Sequence, residues 1–176
     1  IDSNGDIMFN SLIKPDDNFL KYNPNSKMHV GISDNELSNA KHTWIDANAI
    51  IKNMLRGRIV WAYNLDYDRN FFTCKLTSAF NSYCAKERFS YFHGEYQLRW
   101  RGSYLNNKPK WQSLEEAAYI LGINDLPQTH RSLDDARLLR KVVLELDKIE
   151  IHRRCGVTTT SFSKGIQNNK NNVVNL

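Results

Sequence analysis

Cysteine is sparse in this chain. Cys74, Cys84 and Cys155 are an odd number at spacings that match no zinc motif. Neither a disulfide framework nor a structural zinc site is expected, and free thiols in a reducing compartment are the simplest reading. Long apolar runs are missing too: nothing approaches the roughly 18 residues of a membrane span, and no signal peptide is visible. A cytoplasmic location is the expectation from these absences. No internal repeat occurs, which argues against a repeat architecture. Neither sign of charge dominates, since 24 Lys and Arg stand against 19 Asp and Glu, for a net charge of +5 and a pI near 9.1. That balance suits a polyanionic partner without requiring one.

What is present is enough for one domain with a full core: 176 residues, 41% hydrophobic and 24% charged, the composition of an ordinary soluble globular protein. The opening stretch IDSNGDIMFNSLIKP contains Asn4-Gly5, a strong signal for a two-residue type I′ hairpin turn. DIMFNSLI reads as the outgoing strand, and Ile1 to Ser3 as an incoming stub, as though the sequence were cut inside a hairpin. After a polar loop, Ser33 and Glu36 have capping-box spacing for a short helix to about Ala40. A second helix is expected from Asp46 to Leu55, with Ile45, Ala49, Ile50 and Leu55 on its apolar face and Gly57 as its stop.

RIVWAYN follows, and its continuous apolar run Ile59, Val60, Trp61 and Ala62 is the pattern of a strand buried on both faces. Residues 66 to 80 return to helical spacing, and a polar and aromatic region extends to about Lys110. Ser113 and Glu116 repeat the capping-box spacing before a helix ended by Gly122. The last strong helix, Leu133 to about Lys148, offers Leu133, Ala136, Leu139, Val143 and Leu146 to the core. Residues 1–155 thus read as one domain, and 156–176, rich in Asn, Thr and Ser, as a polar extension. Early strands followed by helices around a buried strand predict an α/β or α+β domain with helices on the faces of its sheet. In such sheets, sites lie at the carboxyl ends of strands.

Asp68 lies a few residues past RIVWAYN, in AYNLDYDRNFF with Asp66. A second acidic fragment, THRSLDDARLL at 129 to 139, puts His130 just before a helix that opens with Asp134 and Asp135. Each fragment alone has a plain explanation: Ser132 can cap the helix, acidic first turns suit the helix dipole, and His130 is then a loop residue. Together they supply the parts of a magnesium-dependent phosphodiester hydrolysis site. Mg²⁺ takes carboxylate oxygens and keeps waters, and two such ions can stabilise the attacking and leaving oxygens of an in-line displacement. A histidine titrates near neutral pH and can take a proton from the attacking water.

On these two fragments the chain resembles the DEDDh exonucleases, the DnaQ-like group with a ribonuclease H-like fold that removes nucleotides from 3′ ends. H-R-S-L-D-D-A at 130 to 136 matches that family's third motif, and Y-N-L-D-Y-D at 63 to 68 matches its second, usually H-N-x-x-F-D. VGIS with Asp34, Glu36 and Leu37 is similar to the H-G-I-T-D-E-M loop beside the terminal nucleotide. RGSY followed by KWQSLEEAAYILGI is similar to a stretch found in a bacterial and phage branch. The resemblance covers about residues 1 to 148. It implies a ribonuclease H-like mixed sheet flanked by helices and a 3′ to 5′ exonuclease acting on the 3′ end of single-stranded DNA or RNA. Asp68 and Asp135 would bind Mg²⁺ or Mn²⁺ in a two-metal site, with His130 as general base. Gly31, Ile32 and Asn64 would meet substrate. Asp134 would be a neighbour and not a ligand, and Asp66 at most an outer support.

Three departures accompany the match. Tyr63 stands where histidine is usual, and Val30 where the histidine of H-G-I would be. The first motif, an Asp-x-Glu carried on the central first strand, is nowhere in these residues, so that strand and its partner are expected to be missing ahead of Ile1. Asp2 sits beside the Asn4-Gly5 turn, at the wrong end of the hairpin to replace it. A chain without that motif is expected to be inactive or impaired, and its exposed sheet to invite self-association.

In FSYFHGEYQLRWRGSYLNNKPKW, the aromatics Phe89, Tyr91, Phe92, Tyr96, Trp100 and Tyr104 alternate with Arg88, Arg99 and Arg101, as in proteins that hold single strands. Packing accounts for most such aromatics. Arg99 and Arg101 are the better candidates for phosphate contact. A nuclease-fold module that binds nucleic acid or protein without cutting is the alternative reading, and membership of a larger polymerase or repair assembly is compatible with either.

Overall fold

The computed structural model describes residues 1–15, 31–71, 79, 81–94, 109–125 and 131–154, with 152–154 as helix backbone only. The elements in chain order are β1 (Ile13–Lys14), α1 (Asp34–Ser38), β2 (His42–Thr43), α2 (Trp44–Leu55), β3 (Ile59–Ala62), α3 (Leu65–Asp68) with a 3-10 turn at Arg69–Phe71, β4 (Asn81–Cys84), α4 (Ala85–His93), α5 (Leu114–Ile120) and α6 (Ser132–Arg154). Among the described residues no helix is long and apolar enough to cross a membrane.

Local chemistry explains where the helices begin. Ser33 and Ser113 cap α1 and α5, and Glu36 and Glu116 reach back to the cap N–H groups, so both expected capping boxes form. A third box, Thr43 with Asp46, starts α2 two residues earlier than its apolar spacing suggests. Ser132 is not a cap: it lies inside the first turn of α6, where the Asp135 N–H donates to the carbonyl of Arg131 at 3.0 Å.

At the start of the chain the turn forms one residue away from its expected position. The Gly5 N–H donates to the Asp2 carbonyl at 3.1 Å and the Asp2 N–H to the Asp6 carbonyl at 3.0 Å, so Ser3 and Asn4 are the central residues. Gly5, at φ +98°, is the glycine of a bulge and not half of a two-residue turn. Asp2 selects this geometry, because its Oδ1 accepts from the N–H groups of Asn4, Gly5 and Asp6. The outgoing strand is also shorter than expected, reduced to Ile13–Lys14.

Two separate two-stranded parallel sheets form among the described residues. β1 pairs with β2, Ile13 opposite His42, and β3 pairs with β4, Ile59 opposite Asn81 through Ala62 opposite Cys84. The parallel pairing of β3 and β4 and the helices packed around them give the α/β architecture of a ribonuclease H-like fold. β4 and α4 stand within the stretch read from sequence only as a polar and aromatic region. The side chains of NSYC are too mixed to read as a strand until Ile59–Ala62 pairs with it.

The core lies between α4, α5 and α6. Phe89, Leu114, Ala117, Ala118, Leu138, Val142 and Leu146 are buried together, with Tyr63, Phe92 and Leu139 packed at the margin. The buried stripe of α6 therefore runs through Leu138, Val142, Leu146 and Ile149. Of the expected face, Val143 and Leu146 are buried, whereas Leu133, Ala136 and Leu139 are only partly covered. On α2, Ala47 is the buried residue and Ile45 is 80% exposed, because the helix turns its Ala47, Ile50 and Ile51 side inward.

Candidate active site

β3 leads into the site, and despite its apolar run none of its residues is fully buried. At its carboxyl end Tyr63 is held by its hydroxyl, which lies 2.9 Å from the Gln112 carbonyl oxygen and 2.7 Å from that of Ser113. Burial raises the Tyr63 pKa, with Glu116 and Cys84 adding to the shift. The hydroxyl thus stays protonated and ties the strand end to the start of α5. One residue later the chain turns at Asn64 into α3, and Asp68 closes that short helix, its N–H donating to the Asn64 carbonyl at 3.0 Å.

The first turn of α6 supplies the second carboxylate. Asp68 and Asp135, remote in sequence, line one cavity of about 910 Å³ together with Asn64, Lys86 and Ser132. Asp68 is half-buried, and that burial raises its pKa, with the charge of Lys86 acting in the opposite direction. The Oδ1 atom of Asp135 is shielded from solvent. Much of the wall is apolar and comes from Ile51, Leu55, Val60 and Leu139. The partly covered stripe Ala136 and Leu139 on α6 is therefore cavity wall as well as packing surface.

Other expected site residues are distributed unevenly. His130, Arg99 and Arg101 lie outside the described residues, as does Val30. Gly31, at φ +58°, and Ile32 do not line the cavity. They are nevertheless linked to it: Arg131, the residue before α6, donates from Nη2 to the Gly31 carbonyl at 2.8 Å and its Nη1 lies 3.7 Å from Glu36. Asp66 points outward, its side chain 87% exposed and 3.5 Å from Arg69. Asp134 pairs with Arg137 at 3.3 Å. Contrary to the expectation that no Asp-x-Glu is present, the sequence holds one at Asp34-Asn35-Glu36, but it sits on α1 and not on a strand, with Glu36 engaged in the capping box.

Two residues of the site escaped the sequence reading. Lys86, in the first turn of α4, donates from Nζ to Asn64 Oδ1 at 2.8 Å and lies 3.9 Å from the centroid of the Trp111 ring. Both line the cavity. The signal for α4 was available in the i, i+4, i+7 spacing of Ala85, Phe89 and Phe92 and in the stop at Gly94. Phe89 proves to be fully buried core. Arg88 is committed to Glu150 at 3.0 Å and Asp147 at 2.7 Å, a structural pairing.

Among the described residues no group of three or more His, Cys, Asp or Glu side chains is arranged to hold a metal ion. Asp68 and Asp135 are of the chemical type that could hold one hard cation, since Mg²⁺ typically takes one or two carboxylates and completes its shell with water and phosphate oxygens. A carboxylate whose charge is penalised by burial gains from such a neighbour.

The model of the RNase_T family, described as Exonuclease, matches residues 2–143. No curated protein and no solved structure matches the chain significantly.

Proposed function

The chain belongs to the RNase_T exonuclease family, and from that premise we propose that it is a divalent-metal-dependent 3′ to 5′ exonuclease of the DEDDh type. Family membership implies a hydrolase that binds and cleaves nucleic acid. The observation that supports the finer reading is the meeting of Asp68 and Asp135 in one cavity at the carboxyl end of β3. A bound cation there would stabilise the charge that develops on phosphate oxygens.

In this proposal Asp68 and Asp135 hold Mg²⁺ or Mn²⁺. His130, five residues before Asp135, takes the proton from the water that attacks phosphorus, while the 3′ oxygen of the remaining strand leaves and a mononucleotide is released. Asn64 orients the substrate from the strand end. Gly31 and Ile32 border the terminal nucleotide, with Arg131 fixing their loop to α6. Arg99 and Arg101 contact phosphates. Two carboxylates can share one cation with waters but would serve two ions poorly, so cleavage that rests on Asp68 and Asp135 alone should be slow. A larger polymerase or repair assembly remains a compatible setting.

Trimming of 5′-labelled single strands tests the reading. Mononucleotide release from the 3′ end should require Mg²⁺ or Mn²⁺ and vanish in Asp135→Asn, while Asp134→Asn retains activity. His130→Ala should lower turnover by about 10²- to 10⁴-fold and leave strand affinity nearly unchanged. Cleavage within a circular strand, or trimming indifferent to chelator, would refute the assignment. Strand binding without any metal-dependent cleavage would favour the binding-module alternative.

A further inference from the structure

Lys86 is poorly explained by helix stability. It stands in the first turn of α4, where a cation opposes the helix dipole. Its ammonium group is held against the face of Trp111, 3.9 Å from the ring centroid, and bonds Asn64 Oδ1 at 2.8 Å. Trp111 is likewise unusual, since a tryptophan generally gains by burial and this one is 59% exposed.

The two residues share one position in the molecule. Both line the cavity that holds Asp68 and Asp135, and both, like Asn64 and Leu65, also line a second cavity of about 300 Å³ bordered by Arg69 and Tyr83. They are part of the wall that the two cavities share. A strand whose terminal nucleotide sits in the larger cavity and that continues into the smaller one passes this wall, so its next nucleotide meets an aromatic surface and a cation together. Those are the two elements that grip single strands without regard to base.

We propose that Trp111 and Lys86 form a subsite for the penultimate nucleotide of a single strand, Trp111 stacking on its base and Lys86 attracting its phosphate. The subsite rests on the exonuclease reading for its position relative to the scissile bond. Arg69 is a weaker contributor, because Asp66 lies 3.5 Å from it. Stacking and charge attraction read no base edge, so the subsite is base-tolerant and serves DNA and RNA alike.

The test uses an Asp135→Asn background, so that the probe survives, with oligothymidylate and oligouridylate carrying 2-aminopurine at the last or the next-to-last position. Trp111→Ala should weaken binding about tenfold, and Trp111→Phe should restore most of it. 2-Aminopurine fluorescence should be quenched at the next-to-last position in the parent protein and not in Trp111→Ala. Lys86→Met should weaken binding and reduce the slope of log affinity against log salt by about 0.7, the share of one phosphate on a single strand. Unchanged affinity and quenching in Trp111→Ala would overturn the subsite even if Asp135 proves essential for trimming. If wild-type protein does not trim 3′ ends while Trp111→Ala still weakens binding with loss of quenching, the exonuclease reading fails and the single-strand subsite stands.

Discussion

Asp68 ends the turn after β3 with its carboxylate half-buried, and burial raises its pKa while Lys86 pulls the other way. The folded-state pKa therefore lies above the unfolded one. At pH values above the folded pKa the charged group lowers native stability, and below the unfolded pKa it is neutral in both states and has no effect. In chelator at neutral pH, Asp68→Asn should accordingly melt at a higher temperature than the parent. The difference should shrink as the pH falls through the folded pKa. Mg²⁺ should raise the melting temperature of the parent, because a ligand bound only by the native state stabilises it, and should shift Asp68→Asn much less. Thermal melts across pH with and without Mg²⁺ measure both effects. A variant that melts lower in chelator would show that native contacts of the carboxylate outweigh the cost of burying it.

Elements whose determinants are local in sequence were legible before folding. The Ser33 and Ser113 capping boxes form as spaced, Gly57 and Gly122 stand just past the ends of their helices at positive φ, and IVWA is the strand that leads to Asp68. Elements defined by distant partners were not. β4 becomes a strand only by pairing with β3, and α4 was obscured by polar residues until Phe89 reached its core site. The candidate site was legible as two acidic fragments, but Lys86 and Trp111 came to it through β4, α4 and the approach to α5. Periodicity shows which face of α6 is apolar without showing whether helices or a cavity cover it. Two adjacent residues separate these cases. Leu138 is packed within the core, and Leu138→Ala should cost about 2–5 kcal/mol. Leu139 lines the cavity and is only partly covered, so Leu139→Ala should cost less than about 2 kcal/mol. Urea denaturation of the two variants measures the difference, and equal losses would mean that both lie in one core.

At the scale of the whole molecule, the β3 and β4 pair raises the question of what adjoins its edge. Parallel strands are normally buried on both faces, and two strands alone make a marginal sheet. Among the described residues β3 pairs with β4 only, and Ile59 at its start is 57% exposed. If no other segment of the chain covers that edge, its backbone donors and acceptors beside an exposed isoleucine would favour pairing with a second copy. Charge opposes that pairing, because each copy carries a net +5 and two like-charged bodies repel most at low ionic strength. The same charge acts in the opposite sense on nucleic acid, whose binding weakens as salt rises through loss of counterion release. Salt should therefore separate the two kinds of association. Sedimentation velocity should show the protein associating more as salt is raised, while its affinity for oligothymidylate falls over the same range. Ile59→Lys should suppress self-association by placing a charge on the edge and removing its apolar anchor. Because Ile59 lines neither cavity, the substitution should leave oligothymidylate affinity close to that of the parent. A protein that stays monomeric at every salt and concentration would show that the β3 edge is already covered within the chain. Association that Ile59→Lys leaves untouched would place the contact elsewhere.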